Sequence, residues 1–147
     1  MGSAPLTGSR DRTPDPPHEY LLDTHIWLWY VVGSDRLPAT LRTTIDASIG
    51  HLWISPISVW ELGMLHTRGR IELKEGPRRW LDSALSRFPL KEASLTTEVA
   101  LRSHEVDLGH RDPADHLLAA TALVHGLTLV TLDARLAAAS WLSTVSD

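Results

Sequence analysis

The chain has 147 residues, enough for one domain with a single core, and its 43% hydrophobic and 22% charged content is that of an ordinary globular protein. It contains no cysteine, which excludes disulfides, zinc–thiolate sites and a cysteine nucleophile and fits a reducing compartment. Net charge is −4, from 14 Lys+Arg against 18 Asp+Glu, which excludes gripping a nucleic acid by bulk charge alone.

Residues 1–18 are rich in Pro, Gly, Ser and Thr, and Pro5, Pro14, Pro16 and Pro17 leave nothing to pack, so a disordered tail is expected there. They lack the apolar stretch of a secretion signal, and no apolar run elsewhere approaches the roughly 18 residues that span a bilayer. The expected location is the cytoplasm, with no membrane partner.

The folded domain is expected over residues 19–147. Residues 20–23 read as a short apolar strand ending in Asp23, and residues 25–32 as a Trp-rich helix broken by Gly33. Leu37, Leu41, Ile45 and Ile49 recur at near-helical spacing. A second strand is predicted at residues 52–55 and helices at 58–68 and 76–88, followed by a short strand at 90–93. A helix is predicted at 96–106, then one opened by Asp112-Pro113-Ala114-Asp115 and closed by Gly126. Residues 127–131 are apolar and β-branched without polar alternation, as in a strand buried on both faces. A short helix at 133–139 and an edge strand at 141–145 complete the chain. Strands alternating with helices imply an α/β fold: a parallel sheet with helices on both faces.

Four acids then fall in one place. Asp23, Glu61, Asp115 and Asp133 follow successive strands or open the helices beyond them, and so come to the carboxyl edge of such a sheet, where ligand sites form. Each also has a plain reading as a helix cap. Ser58-Val59-Trp60-Glu61 has the form of a capping box, Asp115 lies at N3 behind an Asp112 cap, and Asp23 and Asp133 stand before helices. Capping alone does not require these acids to share one sheet edge, and helix amides stabilise a carboxylate turned toward a cation. Gathered carboxylates repel unless a cation neutralises them, and hard oxygen ligands suit Mg²⁺ or Mn²⁺. Asp23, Asp115 and Asp133 are therefore candidate ligands, Glu61 completes the set or orients an attacking water, and Asp112 stays a cap. Hydrolysis by metal-activated water, with a substrate phosphate at the cation, is the chemistry this set would serve.

The remaining features carry less. His25, His110 and His116 lack a metal-ligand spacing and read as surface or packing residues. Thr24 and Thr131 flank the acids as candidate hydrogen-bond donors. Arg68, Arg70, Arg78 and Arg79 form either a phosphate patch or a solvated face. Trp27, Trp29, Trp60 and Trp80 read as core or protein interface, with Trp27 and Trp29 expected in dimer or partner contacts. Neither GxxxxGK[ST] nor GxGxxG occurs.

Leu22-Asp23-Thr24-His25 with Trp27-Leu28-Trp29, then Ile57-Ser58-Val59-Trp60-Glu61-Leu62, then Arg111-Asp112-Pro113-Ala114-Asp115-His116-Leu117-Leu118-Ala119-Ala120, then Leu129-Val130-Thr131-Leu132-Asp133 resemble PIN domains, in the right order. The branch they most resemble is the VapC-type ribonuclease toxins of bacterial toxin–antitoxin pairs. The resemblance implies a single three-layer PIN-like domain with an acidic pocket binding Mg²⁺ or Mn²⁺. It also implies endonucleolytic cleavage of RNA, a cognate antitoxin and a homodimer. By motif position Asp23, Glu61, Asp115 and Asp133 match the family's acidic set. Three departures stand out: Ala114 replaces a larger apolar residue, His116 replaces a common Arg, and the polar N-terminal segment is atypical. The loss of that Arg weakens an expected phosphate contact. A receiver-type phosphoacceptor would need paired acids after the first strand, and a haloacid-dehalogenase-type phosphatase a second Asp where His25 stands. A catalytically silent PIN-like module binding RNA or protein is the remaining alternative.

Overall fold

The computed structural model describes residues 18–147. The tail expected at residues 1–18 lies, apart from His18, outside the described residues. In chain order the elements are β1 (Tyr20–Leu22), α1 (Thr24–Val32), α2 (Ala39–Asp46), β2 (Leu52–Ile54), α3 (Pro56–Thr67), α4 (Gly76–Arg87), β3 (Lys91–Glu92), α5 (Thr97–Glu105), α6 (Pro113–His125), β4 (Thr128–Val130), α7 (Ala134–Ala137) and β5 (Thr144–Val145). The strands form one sheet in the order β3-β2-β1-β4-β5, with every neighbouring pair parallel.

The two-residue period of the strands splits the core into two. Leu22, Leu52, Ile54 and Val130 face one way, into a cluster with Ile26, Trp27, Leu41, Ile45, Leu62 and Ala84 from α1 to α4. Leu21 and Leu129 face the other way, packing on Leu118, Ala119 and Ala122 of α6 and Leu136 of α7. Leu21, Leu22, Leu129 and Val130 are all fully buried, as the lack of polar alternation in these strands required. Burial of each such side chain contributes roughly 1.5–3 kcal/mol. The result is the expected three-layer α/β domain. Among the described residues no helix is long and apolar enough to cross a membrane.

The topology fixes where a ligand can enter. From β1 the chain steps to β2 and β3 on one side, then returns to place β4 and β5 on the other. The order therefore reverses between β1 and β4, and the crevice at their carboxyl ends is the switch point of the sheet. Asp23 N donates to Val130 O at 3.0 Å, tying the ends of these two strands together there.

Two expectations need correcting. The capping box at Ser58–Glu61 does not form, because α3 starts at Pro56 with Ser55 as N-cap, whose hydroxyl accepts from Ile57 N at 3.1 Å. Proline favours the first helical position, so Ser55-Pro56 outcompetes Ser58 and carries Glu61 into the second turn, free of capping. Trp27 is not an interface residue. It is 1% exposed and packs edge-on against Trp80, with ring centroids 5.5 Å apart. Trp29 is half-buried, whereas Trp60 on α3 is 59% exposed.

Candidate active site

Asp23 follows β1 and caps α1, its Oδ1 accepting from Thr24 N at 2.7 Å. Its Oδ2 accepts from the buried hydroxyl of Thr131 at 2.6 Å. Thr131 follows β4 directly, and its oxygen in turn accepts from Asp133 N at 3.0 Å. One threonine thus sets the spacing of two acids. Asp133 caps α7, with Oδ1 accepting from the amides of Arg135 (2.8 Å) and Leu136 (3.3 Å).

Thr24 performs the same service for the third acid. Its hydroxyl, buried at the start of α1, donates to Glu61 Oε1 at 2.6 Å and lies 2.8 Å from Ser58 Oγ. Glu61 lies in the second turn of α3, which starts at Pro56. Asp115 comes from the first turn of α6, behind the cap Asp112, whose Oδ1 accepts from Ala114 N at 3.0 Å. Asp115 accepts no hydrogen bond among the described residues; its nearest cations are His110 Nε2 at 3.5 Å, when protonated, and an Arg135 nitrogen at 3.9 Å.

All four acids named from the sequence, and Asp112 with them, line one open pocket of about 480 Å³ at the switch point. Asp112 therefore both caps a helix and faces the pocket. Arg36, from the turn after α1, and Arg135 stand on its wall, and neither carried a sequence signal toward this site. Arg135 also lies 3.5 Å from Asp133.

The electrostatics follow from crowding like charges in a half-buried crevice. Burial pushes the Asp115 carboxyl up to about 7, and the charges of Asp112, Asp133 and Asp23 push the same way against Arg135. Burial also raises Asp23, with Asp133 adding to it, although Thr131 and the Thr24 amide oppose the shift. Glu61 is raised by burial and by Asp23 and Asp112, against the Thr24 hydroxyl. For Asp133 burial acts upward, but the two helix amides and Arg135 together hold it below the usual carboxylate range. The pocket is thus short of positive charge.

The donor set fits a hard divalent cation in chemistry. Among the described residues, however, no three of these groups stand together at metal-ligand spacing.

The histidines set aside in the sequence differ in position. His25 lies on the pocket rim. His116 turns away from it, with Nδ1 3.1 Å from Ser103 O and Nε2 2.6 Å from His110 O. Of the arginine group, Arg79 pairs with Glu75 on the surface at 3.5 Å, and Arg70 borders a neighbouring apolar cleft with Trp29 and Trp80.

A parallel sheet whose switch point opens on five carboxylates defines an α/β domain with an anionic pocket. The PIN domain family model matches residues 20–142, and the chain belongs to that family. It is 32% identical over 117 residues to Ribonuclease VapC22 of Mycobacterium tuberculosis (strain ATCC 25618 / H37Rv), an alignment covering 79% of this chain and 88% of that protein. Its fold is similar to the structure of VapBC2 from Rickettsia felis bound to a promoter DNA fragment, with TM-score 0.65 and 21% identity over 86% of this chain and 97% of the other. DNA-bound VapBC from Salmonella typhimurium gives TM-score 0.65 and 18% identity, over 88% and 98% of the two chains.

Proposed function

We propose that this protein is a divalent-metal-dependent endoribonuclease, the toxin of a toxin–antitoxin pair. The observation that carries the reading is the gathering of Asp23, Glu61, Asp115 and Asp133 in one pocket at the switch point of the sheet. The likeness to a ribonuclease and to VapBC assemblies supports the same class of activity.

Asp23, Asp115 and Asp133 would hold Mg²⁺ or Mn²⁺, directly or through water. When bound, the cation acidifies water and offsets the charge that builds on the phosphate oxygens. The protein supplies the positions. Thr131 holds Asp23 and the Asp133 backbone in register, so two ligands move as one unit. Thr24 fixes one oxygen of Glu61 and leaves the other to orient the attacking water. Arg36 and Arg135 on the pocket wall meet the phosphate of an RNA strand, which the net negative charge of the chain would otherwise repel. His116 faces backbone carbonyls and takes no part in that contact.

The activity is assigned to residues 19–147, in a cytoplasmic protein that forms a homodimer and is silenced by a cognate antitoxin. An Asp23→Asn, Asp115→Asn double variant should keep its circular dichroism spectrum and lose metal-dependent RNA cleavage. Full cleavage by that folded variant would refute the assignment. Tight RNA binding by a wild-type protein that never cleaves would favour the silent module instead.

A further inference from the structure

Three of the four acids are held by hydrogen bonds: Asp23 by Thr131 and the Thr24 amide, Glu61 by Thr24, and Asp133 by two helix amides. Asp115 alone has none among the described residues. Facing it is a nitrogen in the opposite predicament. His110 Nε2 is buried and has no hydrogen-bond partner, and it lies 3.5 Å from Asp115 Oδ2.

The state of that imidazole follows from its other nitrogen. Asp112 N donates to His110 Nδ1 at 3.1 Å. A backbone amide is a donor only, so Nδ1 accepts and the proton of the neutral ring rests on Nε2. The ring is also packed against a neighbour. His116 packs edge-on against it at 5.8 Å, and His116 Nε2 contacts His110 O while its Nδ1 contacts Ser103 O at the end of α5. The His110 side chain is 14% exposed and that of Asp115 17%. Arg135, the other group near Asp115, is 57% exposed and is shared with Asp133.

We propose that His110 is the positioning residue for Asp115. Its unpartnered Nε2–H lies 3.5 Å from the carboxylate oxygen, and a small rotation of Asp115 would close that gap to hydrogen-bond length. Oδ2 is then seated on the imidazole, and Oδ1 is left facing the pocket. The loop before α6 thus does for Asp115 what Thr131 does for Asp23. The same loop ties the orientation to the cap, because the Asp112 amide that fixes the tautomer belongs to the residue that starts the helix. The inference rests on the reading of this pocket as a metal-dependent nuclease site.

Two substitutions separate positioning from mere support of the loop. His110→Asn puts an acceptor where Nδ1 stood and removes the Nε2 donor; His110→Gln puts an amide nitrogen near Nε2 and gives up the acceptor. Mn²⁺ affinity would be measured by calorimetry without RNA, beside melting temperature and the kcat and KM of cleavage. The expected result is wild-type-like Mn²⁺ affinity in His110→Gln and a loss of about tenfold or more in His110→Asn, the usual effect of removing a partner of a metal-binding group. In His110→Asn kcat should fall with KM little changed. Wild-type Mn²⁺ affinity in a folded His110→Asn, or equal losses in both variants, would overturn the inference while wild-type cleavage upheld the nuclease. A wild-type protein that neither takes up Mn²⁺ nor cleaves RNA would overturn both.

Discussion

Neutralising Asp115 should stabilise the metal-free protein while abolishing its activity. A carboxyl whose folded pKa lies above its unfolded value binds its proton more tightly in the native state. The resulting stability is fully present below the unfolded pKa near 3.8 and is lost as pH rises through the folded value of about 7. A shift from 3.8 to about 7 is roughly 3 units, a ceiling of about 4 kcal/mol at 1.36 kcal/mol per unit. The pocket is open to solvent, which screens the crowded charges, and we halve the figure to about 2 kcal/mol. For a domain of this size that corresponds to roughly 5–8 °C in melting temperature. The assay is thermal unfolding of wild type and Asp115→Asn in EDTA from pH 4 to 8. The two curves should nearly coincide at pH 4, and the variant should gain steadily to pH 7 and hold its lead at pH 8. Added Mn²⁺ should raise the wild type alone, by about 2.7 kcal/mol at a hundred times Kd. A gap independent of pH, or a variant less stable than wild type at pH 8, would refute the electrostatic reasoning.

Thr24→Val removes the hydroxyl that holds Glu61 at 2.6 Å; it should cost about 1–3 kcal/mol in stability and lower kcat more than it raises KM in steady-state cleavage. Asp133→Ala strips the cap from α7 and should cost about 1 kcal/mol in urea unfolding, whereas Asp133→Asn, which keeps an acceptor oxygen, should cost less; cleavage should fail in both. Because the Asp133 pKa is depressed, its charge contributes stability above its unfolded value and loses it as pH falls through the folded one, so Asp133→Asn should flatten the acid limb of the stability curve. Leu129→Ala, at the fully buried centre of β4, should lose about 2–5 kcal/mol by chemical denaturation with the pocket residues untouched.

The parts of the fold that were legible in the sequence are those where one physical demand dominated. Residues of β4 had to be apolar on both sides, because helices cover both faces of a parallel sheet, and the strand formed with Leu129 and Val130 in opposite cores. Asp112-Pro113 marked the start of α6 correctly, since proline at the first helical position leaves little choice of register. Glu61 shows how two local signals compete: both Ser55 and Ser58 had the chemistry of a cap, and the proline after Ser55 decided between them. Trp27 was ambiguous because α1 is apolar nearly all round, with Ile26, Trp27, Leu28, Tyr30 and Val31 all buried. Such a helix carries no stripe by which to tell core from surface.

The site was legible as a set of acids and not as a network. Asp23, Asp115 and Asp133 sit at ends of elements, so their meeting follows from the topology alone. The hydroxyls and imidazole that aim them do not. Thr131 reaches Asp23 across 108 positions and Thr24 reaches Glu61 across 37, contacts that no local spacing encodes. Arg36 enters the pocket from a turn with no motif of its own. His110 looked like packing because its meaning lies in a tautomer set by a neighbouring amide.

If the proposed function is right, the acids at this switch point direct water, with a divalent cation, at an RNA phosphodiester. The most direct measurement is end-group analysis of RNA cut by the purified protein in Mg²⁺ or Mn²⁺, in EDTA, and by Asp23→Asn. Attack by water leaves linear phosphate and hydroxyl ends, because the ribose 2′-hydroxyl takes no part in the bond change. Such ends alone should form, and only when both the metal and Asp23 are present. Cleavage that persists in EDTA, or products ending in 2′,3′-cyclic phosphate, would contradict it.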